Sequence, residues 1–396
     1  MVRVYSGENP SQLYMEALID LLTKGKERAP RGKRTLELHP ALFEFNNPLS
    51  RVTFLKGRVI NPFFQLAEAL WIMAGRSDVT WLERYNSNIA SFSDDGKFFN
   101  APYGERLRYW GKNDARGWTI NPLDQLVDCY KKLKEDPDTR QAVAFIGNPH
   151  FDNYDYTVGK GGKDIACNLN VQFSIQDNKL DITVSNRSND LHWGTFGANL
   201  CQFTTIQETM ASWLEIEVGS FYHVTNCLHV YLDDYGSKET DKICNAYLID
   251  KDDPLAGDMV PRVKEFTFGD LEPRLTSDFA TWHSLVKSYF TTIDPLVSNP
   301  AMYGNGPGLK TIIDNVPDDY LKMTFQAMAA YNAYKEGRIK TTITWLGEMA
   351  DSSWKVSCLR FVSRNILNNK ECAAEFKLLY KHLSDDIIDY IERKGE

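Results

Sequence analysis

Residues 164–190 read DIACNLNVQFSIQDNKLDITVSNRSND, and this stretch decides the fold class. Side chains alternate in polarity over 167–175 and 180–186, with a short turn-forming connection between them, so the stretch predicts a pair of β-strands. Cys167 begins the first strand, and Arg187 follows the second. A cysteine is a strong nucleophile only as a thiolate, and a nearby cation lowers its pKa. A thiol and a guanidinium on consecutive elements of one sheet therefore indicate covalent chemistry on a small polar substrate.

The composition is ordinary for a globular protein. The chain has 396 residues, 43% hydrophobic and 25% charged, enough for one large or two ordinary domains. Its net charge of −8 should repel nucleic acid, so we expect no nucleic-acid partner. Seven scattered cysteines without a CxxC pair or zinc spacing predict free thiols and no metal. No apolar signal core or membrane-length run is present, which predicts a cytoplasmic protein without a membrane partner.

Hydrophobic periodicity predicts an α/β (α+β) catalytic domain over 1–275 and a helical extension over 276–396. Predicted helices of the catalytic domain lie at 10–24, 63–75, 121–135 and 199–214. Predicted strands lie at 35–38, 51–55, 142–146, 167–175, 180–186, 221–232 and 262–268. The extension is predicted to contain helices at 278–297, 318–337, 341–349, 352–368 and 371–393.

The order of several short motifs resembles that of thymidylate synthase. The resemblance covers roughly residues 10–270 and is strongest from 138 to 235. The motifs that carry it are Glu68-Ala69-Leu70-Trp71, Tyr103-Gly104, Asp136-Pro137-Asp138-Thr139-Arg140, Ala166-Cys167-Asn168, Asn186-Arg187-Ser188-Asn189-Asp190, Asn199 and His229-Val230-Tyr231. The resemblance implies the fold of that family, with a mixed, largely antiparallel sheet and flanking helices. It also implies a homodimer in which Arg140 reaches the partner's site.

The resemblance also implies a nucleotide site for dUMP. The Cys167 thiolate would add to C6 of the pyrimidine, which makes C5 nucleophilic. Arg187 would lower the thiol pKa and hold the phosphate. The phosphate site would be completed by Ser188, Arg140 and Arg31, although Arg28 and Arg34 compete with Arg31 in the same basic segment.

The remaining implied roles concern the base, the sugar and the folate. Asn199 would contact O4 and N3–H of uracil, although a one-residue insertion after Asp190 puts Ala198 at the family's literal offset. Glu68 would shuttle protons. Asp190 would contact the pterin of methylenetetrahydrofolate. The other implied residues are Tyr103 in catalysis, His229 and Tyr231 at the sugar hydroxyl, and Ala90, Trp193 and Gly194 around the folate.

Two departures from the family concern the product. The family places two tryptophans in a segment that here reads Ile89-Ala90-Ser91-Phe92-Ser93, with Ala90 and Ser93 in their places. The apolar C-terminal tail that closes over the site is also replaced by a helical extension. Both changes would admit water to the reaction. They resemble bacteriophage deoxynucleotide hydroxymethylases, which would act in the host cytoplasm.

The leading hypothesis is therefore hydroxymethylation of dUMP with methylenetetrahydrofolate as cosubstrate. Asn199 favours uracil, because cytosine presents an amino donor where uracil presents a carbonyl. Thymidylate synthase proper, a dCMP or CMP hydroxymethylase, and a catalytically inactive homologue that binds a protein partner remain alternatives. Retention of Cys167, Arg187 and Glu68 argues against inactivity. The sugar type and the role of the extension stay open.

Overall fold

The computed structural model describes residues 2–111, 122–152, 162–250, 260–298 and 307–393. The chain forms two compact units. The first contains Met1–Arg51, Glu68–Lys238 and Asp250–Arg262, and the second contains Val52–Ala67, Glu239–Ile249 and Val263–Glu396. Each unit is thus assembled from separate stretches of chain. The predicted domain boundary at residue 275 stays a prediction, and sequence patterns did not indicate that 52–67 and 239–249 belong to the second unit.

The first unit contains two mixed sheets. Its strands are β1 Arg3–Gly7, β2 Lys26–Arg28, β3 Thr35–Leu38, β4 Ala41–Phe45, β5 Val143–Phe145, β6 Asn168–Gln176, β7 Lys179–Asn186, β8 Asn189–Asp190, β9 Glu217–Thr225 and β10 Leu228–Tyr231. One sheet has the order β1-β4-β9-β7-β6-β5, and the other has the order β2-β3-β10-β8. Antiparallel pairs outnumber parallel pairs in both, which confirms the predicted mixed, largely antiparallel architecture.

The predicted hairpin is strands β6 and β7. Asp177 and Asn178 connect them with φ angles of 49° and 60°. Two consecutive residues with positive φ make the kind of tight turn whose twist matches that of the flanking strands, and Asp and Asn tolerate it. The backbone amide of Arg187 donates to the carbonyl of Cys167 at 3.0 Å. The hairpin therefore brings the thiol and the guanidinium to the same end of the sheet.

Helices of the first unit flank its sheets. They include α1 Pro10–Lys24, α3 Val79–Glu83, α4 Tyr103–Arg108, α5 Gln125–Glu135, α6 Pro149–Asp152 and α7 Leu200–Leu214, while α2 Pro62–Met73 and α8 Asp234–Tyr247 each continue into the second unit. The central helix α7 packs on β7 and β9. Beside it the buried rings of Phe43, Phe45, Phe196 and Phe221 stack or meet edge to face.

Three sequence predictions of strands need correction. Residues 51–55 and 262–268 form no strand. Residues 51–55 are instead a buried extended segment, and apolar periodicity alone does not reveal whether such a segment has a ladder partner. The predicted single strand over 221–232 is two strands, β9 and β10, which lie in different sheets. They separate at the exposed Asn226.

The second unit is helical, as predicted for the C-terminal region. Its further helices are α9 Phe279–Ser288, α10 Asp294–Ser298, α11 Pro307–Asp314, α12 Asp319–Lys335, α13 Ile339–Glu348, α14 Ser353–Leu367, α15 Ala373–Leu378 and α16 Asp385–Glu392. Tyr289 stacks on Phe325 with ring centroids 4.5 Å apart, and the buried Arg360 guanidinium lies 4.0 Å from the Tyr390 ring. Among the described residues, no helix has the length and apolar character needed to cross a membrane.

Candidate active site

Cys167 lies at the start of β6, and its thiol is held beside a guanidinium. Arg187 Nη2 lies 3.5 Å from Cys167 Sγ. The same side chain anchors the loop before the cysteine, because Nε donates to the Ala166 carbonyl at 2.8 Å and Nη2 donates to the Ile165 carbonyl at 3.0 Å. Arg187 therefore both fixes the loop and places its charge against the sulfur, as the sequence predicts.

The net effect on the thiol differs from the expectation. Burial raises the pKa of Cys167 above its ordinary value, more strongly than the Arg187 guanidinium lowers it. Asp164 and Asp190 also raise this pKa, and Arg31 lowers it. Arg187 thus lowers the pKa of the thiol, in the predicted direction, but burial has the larger effect on that pKa. The sequence could not reveal this, since desolvation depends on the packing around the sulfur.

Tyr103, the first residue of α4, places its hydroxyl against the nucleophile's backbone. The hydroxyl accepts from the amides of Cys167 at 3.4 Å and Asn168 at 3.5 Å, and from Asn168 Nδ2 at 3.0 Å. Burial raises the pKa of Tyr103, so the phenol is neutral. Asn168 stands where the family has histidine, and its buried Oδ1 has no hydrogen-bond partner among the described residues. This unsatisfied acceptor beside the thiol suits a polar ligand.

Among the three competing arginines, the structure distinguishes Arg31. Its charge acts on both Cys167 and Tyr231, whose pKa values it lowers. Arg34 instead pairs with Glu27 at 2.7 Å, and Arg28 donates to the Glu27 carbonyl at 3.2 Å. Of the three, Arg31 is the arginine whose charge lowers the pKa of the nucleophile.

Arg140 is not part of this cluster within one chain. It is exposed on the turn after α5 and makes no hydrogen bond or ion pair with another described residue. The role of Arg140 in the phosphate site of a partner subunit, which the resemblance implies, stays a prediction.

Glu68, on α2, is a partly exposed residue whose Oε2 atom is nevertheless inaccessible to solvent and without a partner among the described residues. Burial raises the pKa of Glu68 to about 7, and a hydrogen bond from Gln202 opposes that rise. A carboxyl group with this pKa exchanges protons readily near neutral pH. The structure thus gives Glu68 the character that its predicted role needs.

A π-helix accommodates the residue that is inserted between Asp190 and Asn199. Residues Leu191–Asn199 form a π-helix, in which each turn accommodates about one residue more than an α-turn. Asn199 Oδ1 accepts from Asn189 Nδ2 at 2.9 Å, and Asn199 Nδ2 donates to Gln202 Oε1 at 3.0 Å. Gln202 in turn lowers the pKa of Glu68. Asn199, rather than the apolar Ala198, therefore joins the polar groups of the site.

The predicted phosphate contact Ser188 directly precedes β8, and the predicted sugar contacts His229 and Tyr231 lie on β10. The Ser188 hydroxyl lies 3.5 Å from His229 Nδ1, and the rings of His229 and Tyr231 meet edge to face at 5.3 Å. Burial raises the pKa of Tyr231, with smaller effects from Asp190, Arg31 and Cys167. These interactions bring both ring side chains to the side of the thiol.

The predicted folate residues have local roles as well. Asp190 Oδ1 caps the π-helix by accepting from the amides of His192 at 2.8 Å and Trp193 at 3.3 Å, and Asp190 Oδ2 accepts from the Tyr235 hydroxyl. The Trp193 side chain is 40% exposed, which leaves an indole surface for a ligand. A Cβ on Gly194 would lie 2.4 Å from Asn189 Oδ1, so glycine is needed there for the approach of that amide.

Ala90 and Ser93 differ from each other in their surroundings. Ala90 is half-buried in the 3₁₀ turn Ile89–Phe92. Ser93 is buried, and its hydroxyl donates to the Phe98 carbonyl at 2.6 Å and accepts from the Gly96 amide at 2.9 Å. The Ser93 hydroxyl thus holds the backbone of the loop over 93–98 together, a role that comparison of the motifs did not predict.

Sequence reasoning missed three residues of the site: Asn189, Gln202 and Tyr235. Gln202 follows Asn199 by three positions on helical backbone, a spacing that puts two side chains on one face and was available as a signal. Tyr235 is distant from Asp190 in sequence, and nothing in its local pattern predicts the contact.

Glu37, His39 and Cys227 each place one potential metal-ligand atom within 4.8 Å of the others. His39 and Glu37 already form an ion pair at 2.9 Å, which accounts for their proximity. The expectation that the protein needs no metal stays a prediction.

Comparison with known proteins identifies the family. The thymidylate synthase family model matches residues 12–243. The chain belongs to the thymidylate synthase family. It is 49% identical over 366 residues to a deoxyuridylate hydroxymethyltransferase of Bacillus phage SP01, covering 91% of this chain and 94% of the relative. A protein of the same name from Pseudomonas phage M6 is 28% identical over 370 residues, covering 92% and 94%. The thymidylate synthase fold predicted from the motifs is thus confirmed.

Proposed function

We propose that this protein is a deoxyuridylate hydroxymethyltransferase. It transfers a one-carbon unit from 5,10-methylenetetrahydrofolate to C5 of dUMP, and water completes the reaction to give 5-hydroxymethyl-dUMP and tetrahydrofolate. The observation that carries the proposal is the Arg187 guanidinium beside the Cys167 thiol at one end of the hairpin, in a chain whose relatives of that name match over nine-tenths of its length.

The anionic end of the nucleotide binds to the cations around the thiol. Arg187 and Arg31 hold the phosphate, with the Ser188 hydroxyl as a further donor. In this arrangement the phosphate competes with the backbone carbonyls that Arg187 now contacts. Arg140 of a second subunit completes the phosphate site, so the active form is a homodimer. His229 and Tyr231 hold the sugar hydroxyl.

The base is read by Asn199. One N–H of its amide is used by Gln202, and one lone pair is used by Asn189. An amide group has two N–H donors and two lone pairs, so one donor and one acceptor remain. That pair matches the O4 acceptor and the N3–H donor of uracil. The contact at O4 also stabilises the negative charge that develops there when sulfur adds to C6.

Covalent chemistry begins at Cys167. The thiol loses its proton, the S–C6 bond forms as the C5–C6 double bond opens, and C5 becomes the nucleophile. C5 bonds to the one-carbon unit of methylenetetrahydrofolate. The C5 proton is then lost and the bond from that carbon to the folate nitrogen breaks, which releases tetrahydrofolate and leaves a methylene group on C5. Glu68 holds and moves the protons of these steps at Oε2, and elimination of the sulfur from C6 restores the double bond and frees the thiol.

The residues around the folate fit such a ligand. Trp193 presents indole surface, and Asp190 offers a carboxylate to the pterin. Ala90 leaves room for water next to C5 where the family has an indole. Water then adds to the one-carbon group on C5, so no hydride is needed from the folate.

The test is turnover of dUMP and dCMP in water labelled with ¹⁸O. We expect dUMP to give 5-hydroxymethyl-dUMP with one ¹⁸O in the new hydroxyl group, and Cys167→Ala to give no product. Formation of dTMP would favour thymidylate synthase, and turnover of dCMP alone would refute the base assignment. Turnover by Cys167→Ala would refute the covalent mechanism.

A further inference from the structure

The amide of Asn199 sits within a chain of hydrogen bonds that has a direction. Asn189 Nδ2 donates to Asn199 Oδ1 at 2.9 Å, and Asn199 Nδ2 donates to Gln202 Oε1 at 3.0 Å. The Gln202 side chain also acts on Glu68, whose pKa it lowers. Donation along the two observed bonds thus runs from Asn189 through Asn199 to Gln202.

This direction matters because an asparagine alone does not select uracil. If the Asn199 amide turned over, its free donor and free acceptor would exchange places, and the pair would match the N3 acceptor and amino donor of cytosine. In the turned state, Asn199 Nδ2 would face the Asn189 donor and Asn199 Oδ1 would face Gln202 Oε1. Both contacts would be unsatisfied and buried, which is costly.

Asn189 is itself held in one orientation. Its Oδ1 accepts from the Thr195 hydroxyl at 2.7 Å, and its Nδ2 lies 3.3 Å from His223 Nε2. Burial lowers the pKa of His223 to about 3, so the ring is neutral and Nε2 accepts. Gly194 leaves room for Asn189 Oδ1, since a Cβ there would approach it to 2.4 Å. Asn189, Thr195 and Asn199 are all buried.

We propose that Asn189 is a specificity-determining positioning residue: it fixes the orientation of the Asn199 amide and thereby makes the site select uracil over cytosine. The inference rests on the proposed function, because it takes Asn199 as the residue that contacts the base. It adds a residue that touches neither substrate and a reason why the choice of base depends on a second amide.

Asn189→Asp tests the direction of the chain. A carboxylate at this position only accepts, and it can be satisfied by the Thr195 hydroxyl, by Asn199 Nδ2 and by His223 once Nε2 carries a proton. The Asn199 amide then turns, and the Gln202 amide turns with it so that Gln202 Nε2 donates to Asn199 Oδ1. We expect the ratio of kcat/KM for dUMP to kcat/KM for dCMP to fall at least tenfold. The value of kcat/KM for dCMP should itself rise. The ratio of the two nucleotide Kd values should shift in the same direction.

Thr195→Val is the second variant, since it removes the hydroxyl that orients Asn189 while nearly preserving shape. We expect a smaller fall in the ratio, about two- to fivefold. Thr204→Val is the matched control. Its buried hydroxyl bonds only within α7, to the carbonyls of Leu200 and Cys201, so its loss should leave the ratio unchanged.

The outcomes separate the two proposals. Wild-type protein that neither binds nor converts dUMP refutes the proposed function. Wild-type protein that prefers dUMP, together with variants at 189 and 195 that lower kcat/KM for both nucleotides by one common factor, overturns the role of Asn189. If Asn189→Asp does not fold, an unchanged ratio of kcat/KM for dUMP to kcat/KM for dCMP in Thr195→Val is enough to overturn the role of Asn189.

Discussion

At the scale of single residues, two opposing effects act on the Cys167 thiol. Burial favours the neutral thiol, and the guanidinium of Arg187 favours the thiolate. The effect of burial is the larger, so the pKa of Cys167 is raised and the neutral thiol is favoured over the thiolate. The proton must therefore leave during the catalytic cycle.

This balance predicts the pH dependence of alkylation. The rate of reaction of Cys167 with iodoacetamide should rise with pH about a midpoint above that of an ordinary cysteine, because burial raises the pKa. Arg187→Leu should move the midpoint still higher, since it removes the main lowering charge. Peptide mass spectrometry measures this site by site, and five of the other six cysteines are buried.

Arg28→Leu is the control, because that exposed cation donates only to a backbone carbonyl. A midpoint that stays the same or falls in Arg187→Leu would contradict the electrostatic account of this thiol.

The raised pKa of Glu68 predicts that the free energy of unfolding depends on pH. Its folded pKa of about 7 lies above the ordinary value of 4.5, so the folded protein binds the extra proton. Its contribution is fully present below pH 4.5 and is lost as pH rises through 7. Glu68→Gln should therefore gain stability relative to wild type as pH rises, by about 2 kcal/mol between pH 5 and pH 8.

Urea unfolding at both pH values measures that difference. Glu217→Gln is a control at an exposed strand position. A difference between Glu68→Gln and wild type that is constant with pH would show that the Glu68 carboxyl is not desolvated in the folded state.

At the scale of elements, the hairpin that carries Cys167 and Arg187 depends on its turn. Asn178 has a φ of 60°, which asparagine and glycine tolerate better than other residues. We expect Asn178→Ala to destabilise the protein by about 1 kcal/mol and Asn178→Gly to leave stability nearly unchanged. Chemical unfolding measures both, and equal destabilisation by the two substitutions would contradict the turn geometry.

The elements also show where sequence reasoning succeeds. The predicted helix over 10–24 matches α1, because Asn9 caps its first turn by accepting from the amides of Ser11 and Gln12. Such signals are local and readable. The π-helix before Asn199 is different: sequence detected an inserted residue but not the wide turn that absorbs it. The hydrogen-bond chain from Asn189 to Gln202 was also invisible, because β8 supplies one end and α7 the other.

At the scale of the whole molecule, the proposed homodimer makes a prediction about mixed subunits. Arg140 lies exposed and away from the cluster of its own chain, whereas the phosphate site is proposed to need it. Cys167→Ala and Arg140→Ala should each be inactive or severely impaired as homodimers. Mixing and reassociating them should restore activity, because a heterodimer contains one site with Cys167 of one subunit and Arg140 of the other.

Restored activity would reach at most about one quarter of wild type per total site for equal mixing, since half of the dimers are mixed and each has one complete site. A mixture with no more activity than the two variants measured separately would contradict the role of Arg140 in the partner's site. Arg28→Ala mixed with Cys167→Ala controls for subunit exchange alone.

The measurement that tests the central claim most directly is dihydrofolate formation during dUMP turnover. Wild-type protein is incubated with dUMP and methylenetetrahydrofolate, nucleotide products are resolved by mass spectrometry, and dihydrofolate is followed by absorbance. The proposed water capture predicts 5-hydroxymethyl-dUMP with no dihydrofolate. Formation of dTMP and dihydrofolate in equal amounts would contradict it.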